Sequence, residues 1–167
     1  MAEKDEIIRE KIDHSGIFDF KGFYRFAHGW LVEENFGVVE EKYSEKVSGN
    51  SRNISFKWMA SKRLSDYFKI EIEIESEVDD LTDVEVEIDG ERKKMNKGKI
   101  KGTIKGALLK DPGSKWDTTA FTRFMRDVYN KYIIPGRISS VEGTIRSDVT
   151  SFKEELKAFL ELSGRRK

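Results

Sequence analysis

Residues 67–110 read YFKIEIEIESEVDDLTDVEVEIDGERKKMNKGKIKGTIKGALLK. Apolar residues and two glycines occupy the even-numbered positions of three runs, Phe68–Ile74, Val84–Ile88 and Ile100–Leu108. Apart from Ala107, the odd positions between them hold charged or polar residues. An alternation of period two is typical of a strand with one face on a core and the other in water. The stretch therefore predicts strands whose even positions all face the core.

Turn residues separate these runs. Asp89-Gly90 predicts a two-residue hairpin turn, because a type I′ turn needs positive φ at both central residues. Asn96-Lys97-Gly98 predicts a second reversal, with a short strand, Glu91–Met95, between the two turns. Connections of turn length cannot make parallel crossovers. We therefore predict an antiparallel meander.

Charge is segregated along the same stretch. Ile70–Glu91 contains no Lys or Arg, and Arg92–Lys105 contains no Asp or Glu. A hairpin sets Glu87 opposite Arg92, and cross-strand pairs of opposite charge contribute roughly 0.2–1 kcal/mol each. We favour a self-neutralising, solvated sheet face. The alternative is a basic strip that binds phosphate backbones, formed by Arg92, Lys93, Lys94, Lys97, Lys99, Lys101 and Lys105.

Two helices are predicted within residues 1–36, before the sheet. Ala2–Asp13 is charged, and Asp19 is a suitable N-cap for a second helix that continues through Phe36. The first of these helices carries only a thin apolar stripe, made of Ile7, Ile8 and Ile12.

Two further helices are predicted within residues 115–162, after the sheet. The first is capped by Ser114 or Asp117. The second runs from about Arg137 to Leu162, and its apolar stripe predicts a helix that lies across a sheet. The two stripes consist of Phe121, Phe124, Met125, Val128 and Tyr132, and of Ile138, Val141, Ile145, Val149, Phe152, Leu156, Phe159 and Leu160.

Together these elements predict one α+β domain over residues 1–167. Residues 37–110 form an antiparallel sheet of four to six meandering strands, and the N-terminal and C-terminal helices cover one face of it. Long curved strands followed by a long final helix resemble helix-grip ligand-binding architectures, and this resemblance concerns the fold alone.

Composition excludes several classes of protein. The 167 residues contain 31 basic and 31 acidic side chains, so no net charge attracts the whole chain to nucleic acid or to an anionic membrane. The absence of Cys excludes disulfides and cysteine zinc sites. No apolar run approaches the length of a membrane span. We expect a cytoplasmic protein.

The chain contains no recognisable catalytic, metal or cofactor motif. His28 could act as a general base, but a helical His with a hydrogen-bond partner is the commoner case. Neither His14 nor His28 has metal-ligand spacing. Asp79–Asp83 is acidic but lacks the ligand pattern of a calcium loop. We predict no catalytic residue, no metal site and no cofactor.

Gly102 and Gly106 fall on the predicted inward face of a strand. Glycine within a strand marks a bend or the close approach of another backbone, so the structural interpretation is a curved sheet or a tightly packed helix. The functional interpretation is a cavity for an apolar ligand between the sheet and the final helix. Its predicted lining residues are Phe23, Trp30, Gly102, Gly106, Phe152 and Phe159.

Three segments resemble a set of small archaeal proteins without an assigned activity. They are Gly22–Phe36 (GFYRFAHGWLVEENF), Val84–Gly98 (VEVEIDGERKKMNKG) and Phe124–Ile133 (FMRDVYNKYI). The likeness extends over most of the chain from about Asp19. It implies no activity, cofactor or catalytic residue.

Three functions remain open at this point. The first is a non-enzymatic interaction or assembly module with a protein partner or a second copy of the chain, which predicts an exposed apolar or bipolar patch. The second is a carrier of a small apolar ligand. The third is nucleic-acid binding through the basic strip, which is disfavoured because the strip has no outward aromatics for base stacking.

Overall fold

The computed structural model describes residues 3–65, 67–110, 119–128 and 135–165. In chain order its elements are β1 (Glu3–Phe18), α1 (Phe20–Glu33), β2 (Gly37–Ser48), β3 (Ser51–Arg63), β4 (Phe68–Ile88), β5 (Glu91–Lys110), α2 (Ala120–Val128) and α3 (Pro135–Arg165). The strands form one antiparallel sheet in the order β1-β5-β4-β3-β2. The predicted α+β class is confirmed: the five strands form one antiparallel sheet, and helices occur in both the N-terminal and the C-terminal part of the chain.

The predicted first helix, Ala2–Asp13, is wrong. Glu3–Asp13 belong to β1, which pairs with β5 from Glu3 opposite Lys110 to Phe18 opposite Asn96. Ile8 and Ile12 are spaced for a helix face, yet both are even-numbered and also suit one face of a strand. The unpaired edge of β5 satisfies the backbone of β1, and this tertiary pairing overrides the local preference.

β4 is a single strand of 21 residues with a bulge in its middle. Its pairing with β5 shifts between Asp79 and Thr82, and Asp80 has a φ of 55°. A one-residue slip moves every following side chain to the other face. Beyond the bulge Asp83 therefore lies on the face of the sheet that the helices cover, which we call the helix side. The prediction that even positions face the core is wrong for this part of β4.

The predicted reversal at Asn96-Lys97-Gly98 is also wrong, because β5 runs through it without a break. Gly98 instead lies beside the bulge, where a Cβ would come within 2.9 Å of the Asp79 carbonyl oxygen. The glycine allows a close backbone approach and does not form a turn.

The predicted hairpin turn between β4 and β5 is confirmed. Asp89 and Gly90 have φ values of 51° and 81°, as a type I′ turn requires. Glu87 lies opposite Arg92, as the charge pattern predicts.

Both long helices pack on one face of the sheet. α3 lies across β1 and β5, and α1 packs against α3 and β2.

Asp19 caps α1 by accepting a hydrogen bond from the Gly22 amide at 3.1 Å, as predicted. The predicted caps of α2, Ser114 and Asp117, lie outside the described residues, and within the described part Thr119 accepts a hydrogen bond from the Thr122 amide at 3.1 Å. Over the described ranges, no helix is both long and apolar enough to span a membrane.

Candidate functional site

The aromatic residues of the predicted ligand cavity pack against one another between α1 and α3. Phe23 and Phe152 are buried, and Trp30 and Phe159 are partly buried against the same core. The Trp30 and Phe152 ring centroids lie 4.8 Å apart, and those of Phe23 and Phe159 lie 6.4 Å apart. These side chains fill the space between the two helices.

The two glycines have different surroundings. A Cβ at Gly106 would lie 2.7 Å from Ile145 Cγ2 and 2.8 Å from Val149 Cγ2, so the tightly packed helix is the correct interpretation there. Gly102 borders a cavity of only about 20 Å³, which has room for about one water molecule. These residues therefore enclose no space for a small-molecule ligand.

The structure does not bring the seven residues of the basic strip onto one face. Lys94 lies on the helix side, whereas Lys101 and Lys105 lie on the outer face of the sheet. Lys101 stands between Glu77 and Asp13 on the neighbouring strands, and Lys105 Nζ is 3.5 Å from a Glu73 carboxylate oxygen. Around Lys101 and Lys105 the outer face therefore carries interleaved charges of both signs.

An open cleft of about 790 Å³ lies on the helix side, at the end of the sheet where α1 begins. Its walls come from α1, from the β2–β3 hairpin, and from Asp83 on β4 with Lys94, Met95 and Asn96 on β5. The apolar part of the lining consists of Phe20, Tyr24, Tyr43, Ile54 and Met95. We refer to it below as the α1 cleft.

Tyr24 and Glu40 connect α1 to β2 across this cleft. The Tyr24 hydroxyl donates to the Glu40 carboxylate, and Trp58 Nε1 donates to the same carboxylate at 3.2 Å. The Tyr24 ring meets the Trp58 ring edge-on at 4.8 Å between centroids. Burial, and then the hydrogen bond to Glu40, raise the pKa of Tyr24 to about 12. Tyr24 is therefore a protonated donor at neutral pH, with Glu40 as its acceptor.

Tyr43 continues the aromatic wall on β2. Its ring stands edge-on to the Tyr24 ring at 6.4 Å, and 44% of the residue surface is exposed. Burial raises the pKa of Tyr43, and the negative charges of Glu45 and Glu40 raise it further. Its hydroxyl is therefore also protonated at neutral pH.

A polar network closes the other side of the cleft. Asp83 Oδ1 accepts a hydrogen bond from Arg52 Nη2 at 3.0 Å and another from Asn96 Nδ2 at 2.9 Å. Asn96 Oδ1 accepts from the backbone amide of Phe20 at 3.0 Å. The network joins β3, β4 and β5 to the start of α1, and it depends on the bulge that places Asp83 on this face.

The acidic and the basic side chains that line the cleft differ in whether they have partners. Each lining carboxylate has a partner: Asp19 caps α1, Glu40 accepts from Tyr24 and Trp58, and Glu45 and Asp83 contact Arg52. Within the part of the chain that the structure describes, three lining cations have no ion pair within 4.0 Å. They are Lys21, Arg25 and Lys94.

Beyond the Tyr24–Glu40 contact the cleft continues as a smaller space of about 390 Å³. His28 borders it, is exposed, and meets Trp58 edge-on at 5.8 Å. No hydrogen bond joins His28 to any residue in the described ranges. Across those ranges there is also no group of three or more His, Asp or Glu side chains placed to hold a metal ion.

Most residues of the α1 cleft could not be singled out from the sequence. Nothing in the sequence distinguishes Tyr24, Glu40 or Arg52, and Asp83 is notable there only as the end of the acidic stretch Asp79–Asp83. The available signal was weak: Glu40 interrupts the apolar residues of β2, and Tyr43 follows it three residues later. Comparison with protein-family models, with curated proteins and with solved structures gives no match.

Proposed function

We propose that the protein binds a small organic anion with an apolar ring and holds it in the α1 cleft. One observation carries the proposal: the cleft combines an aromatic lining with three cations that form no ion pair with any described residue, whereas its carboxylates are already engaged. A ligand that supplies both a ring and a negative charge satisfies both features.

The ring of such a ligand contacts Phe20, Tyr24 and Tyr43. Aromatic pairs with edge-to-face or offset geometry contribute about 0.5–1.5 kcal/mol beyond the area that they bury. The anionic group lies toward Arg25 and Lys94, which border the cleft from α1 and from β5. The volume is within the roughly 300–1,000 Å³ that is usual for small-molecule sites.

The proposal retains the carrier hypothesis but changes its location and its ligand. The space between the sheet and α3 is filled, so an apolar ligand has no room there. The α1 cleft lies on the same face of the sheet, at the end that α3 does not cover, and its lining favours an amphiphilic anion over an entirely apolar molecule.

The first test is titration of the ¹⁵N-labelled protein with naphthalene-2-sulfonate, followed by amide chemical shifts. We expect the largest shifts at Phe20, Tyr24, Arg52 and Asn96. An absence of shifts at these amides with millimolar ligand, or shifts confined to another surface, would contradict the proposal.

The second test compares two variants with the same change in charge. Arg25→Gln/Lys94→Gln removes two cations of the cleft, and we expect affinity to fall about two- to thirtyfold, since an exposed ion pair contributes roughly 0.2–1 kcal/mol. Lys97→Gln/Lys99→Gln alters the opposite side of β5 and should bind like the unmodified protein. Equal weakening in both variants would indicate non-specific attraction to charge.

A further inference from the structure

A hydrogen bond between two side chains lies where the α1 cleft meets the smaller space of about 390 Å³ beyond it. Tyr24, Arg25 and Glu40 line both spaces. Two of these residues contact each other across the groove between α1 and β2, because the Tyr24 hydroxyl donates to the Glu40 carboxylate. We call the smaller space the His28 compartment. The contact therefore divides one groove into two parts.

The His28 compartment has room for a further part of a ligand. Its walls include His28 and Gly29 on α1 and Val38 and Trp58 on the sheet. A Cβ at Gly29 would meet no atom within 4 Å, so the α1 side of the compartment is open there. His28 is exposed and forms no hydrogen bond with any residue in the described ranges. Its ring nitrogens are therefore available to a ligand.

The cations of the α1 cleft and His28 lie in a row along α1. Lys21, Arg25 and His28 follow one another at intervals of four and three residues, which places them on the same side of the helix. Lys21 and His28 are about 10 Å apart along the helix axis, at a rise of about 1.5 Å per residue. A ligand whose anionic group lies near Lys21 and Arg25 therefore reaches His28 only if it is elongated. Such a ligand passes between Tyr24 and Glu40.

The two halves of this contact differ in how firmly they are held. The Tyr24 ring packs edge-on against the rings of Trp58 and Phe56, with centroids 4.8 Å and 5.3 Å away. Glu40 is exposed and lies on β2, at the edge of the sheet. Water replaces the hydrogen bonds of an exposed carboxylate at little net cost in free energy. Glu40 is therefore the half that moves aside.

We propose that the Tyr24–Glu40 contact limits the length of the ligands that the α1 cleft accepts, with Glu40 as the specificity-determining residue. This inference rests on the proposed function. While the contact is formed, an anion with a two-ring body stays within the cleft. When the Glu40 side chain is removed, a longer ligand of the same charge extends into the His28 compartment and gains the contacts of a further ring.

The test uses two ligands of the same charge and different lengths. Naphthalene-2-sulfonate has a two-ring body, and 6-anilinonaphthalene-2-sulfonate carries an additional phenyl ring at the end opposite the sulfonate. Titration of each ligand into the ¹⁵N-labelled protein measures its affinity, and the amides that shift show where it lies. In the unmodified protein we expect both ligands to shift Phe20 and Asn96 and to leave His28 and Gly29 unchanged.

Truncation of Glu40 should open the passage. In Glu40→Ala we expect the longer ligand, but not the shorter one, to shift the amides of His28 and Gly29. Its affinity relative to that of the shorter ligand should rise about two- to tenfold, the amount that one aromatic pair contributes. Tyr24→Phe is a second variant, which frees Glu40 from α1 and keeps the ring. It should raise the same ratio by a smaller factor.

Glu40→Gln is the matched control. It removes the same negative charge as Glu40→Ala but keeps the shape of the side chain and an oxygen that accepts from Tyr24. The ratio of the two affinities should therefore stay as it is in the unmodified protein. A ratio that rises equally in Glu40→Ala and Glu40→Gln, or in neither, overturns the inference. So do shifts at His28 and Gly29 when the longer ligand binds the unmodified protein.

The shorter ligand separates this inference from the proposed function. If naphthalene-2-sulfonate shifts Phe20 and Asn96 but the ratio does not respond to Glu40→Ala, only the length limit is wrong. If neither ligand shifts these amides in the unmodified protein, the proposed function fails and the length limit fails with it.

Discussion

At the scale of single residues, Gly102 and Gly106 show how one sequence pattern can correspond to two environments. They lie four residues apart on β5, and at both positions the predicted inward face of the strand lacks a side chain. Gly106 accommodates α3, because a Cβ there would be 2.7 Å from Ile145 Cγ2. Gly102 has no contact that tight: a Cβ would lie 3.5 Å from the Glu75 carbonyl oxygen, beside the small cavity.

The two glycines should therefore respond oppositely to alanine. We expect Gly106→Ala to lower the free energy of unfolding by about 1–3 kcal/mol, as overpacking of a core does. Gly102→Ala should be neutral or raise it by up to about 1 kcal/mol, because glycine in a strand carries an entropic cost. Urea denaturation of both variants measures the difference. Equal destabilisation would show that α3 does not pack closely over Gly106.

At the scale of elements, the outer face of the sheet is stabilised by charges that cross from strand to strand. Lys57 Nζ lies 3.0 Å from Glu73 and 3.5 Å from Glu41, so β3 is tied to both of its neighbours. Lys105 on β5 contacts Glu73 from the other side. The hydrogen bond from Lys57, together with the charges of Lys57 and Lys105, lowers the pKa of Glu73 although burial opposes the shift.

This pKa shift makes a defined contribution to acid stability. A carboxylate whose pKa is lowered by folding stabilises the native state above its unfolded pKa, here 4.5, and loses that contribution as pH falls through the folded value. Glu73→Gln should therefore cost up to about 1 kcal/mol at pH 7. The gap from the unmodified protein should close as pH falls below 4.5.

Thermal unfolding as a function of pH measures this gap. Glu87→Gln is the control, because Glu87 is exposed near the turn of the β4–β5 hairpin, opposite Arg92. This variant should unfold at nearly the same temperature as the unmodified protein at any pH. A Glu73→Gln deficit that is the same at pH 3 and pH 7 would mean that the carboxylate charge is not what matters.

The elements also show how far sequence reasoning reaches. The β4–β5 hairpin and the stripe of α3 could be predicted, because alternation and heptad-like spacing both report burial directly. The strand conformation of β1 could not be predicted, since Ile8 and Ile12 fit a helix and a strand equally well. Only pairing with the free edge of β5 selects the strand. The bulge at Asp80 leaves the alternation of Val84–Ile88 unchanged while it reverses the faces, so the α1 cleft could not be derived either.

At the scale of the whole molecule, the β4–β5 hairpin extends beyond the rest of the sheet. β1 ends at Phe18, opposite Asn96, and the β3 pairing ends at Arg52, opposite Leu81. Among the residues that the structure describes, 84–95 therefore have no neighbouring strand except each other. This arm adds pairing within itself but little to the common core.

Shortening the arm should consequently have little effect on stability. We expect a variant in which an Asp-Gly turn replaces residues 86–93, so that Glu85 still pairs with Lys94, to stay within about 1 kcal/mol of the unmodified protein, as changes outside the core usually do. Leu81→Ala, on the core side of the bulge, should cost about 2–5 kcal/mol. Urea denaturation measures both, and a large loss from shortening would place the arm within the cooperative core.

The pairing of β1 with β5 has a consequence for synthesis on the ribosome. At about 5–20 residues per second, Asn96 is made roughly 4–16 s after Phe18, its neighbour in the sheet. β1 is therefore available well before its partner strand exists, while β2, β3 and β4 can pair in the order in which they are made. Although β1 precedes the other four strands in the chain, it is therefore among the last to join the sheet, and α3, which packs on it, follows.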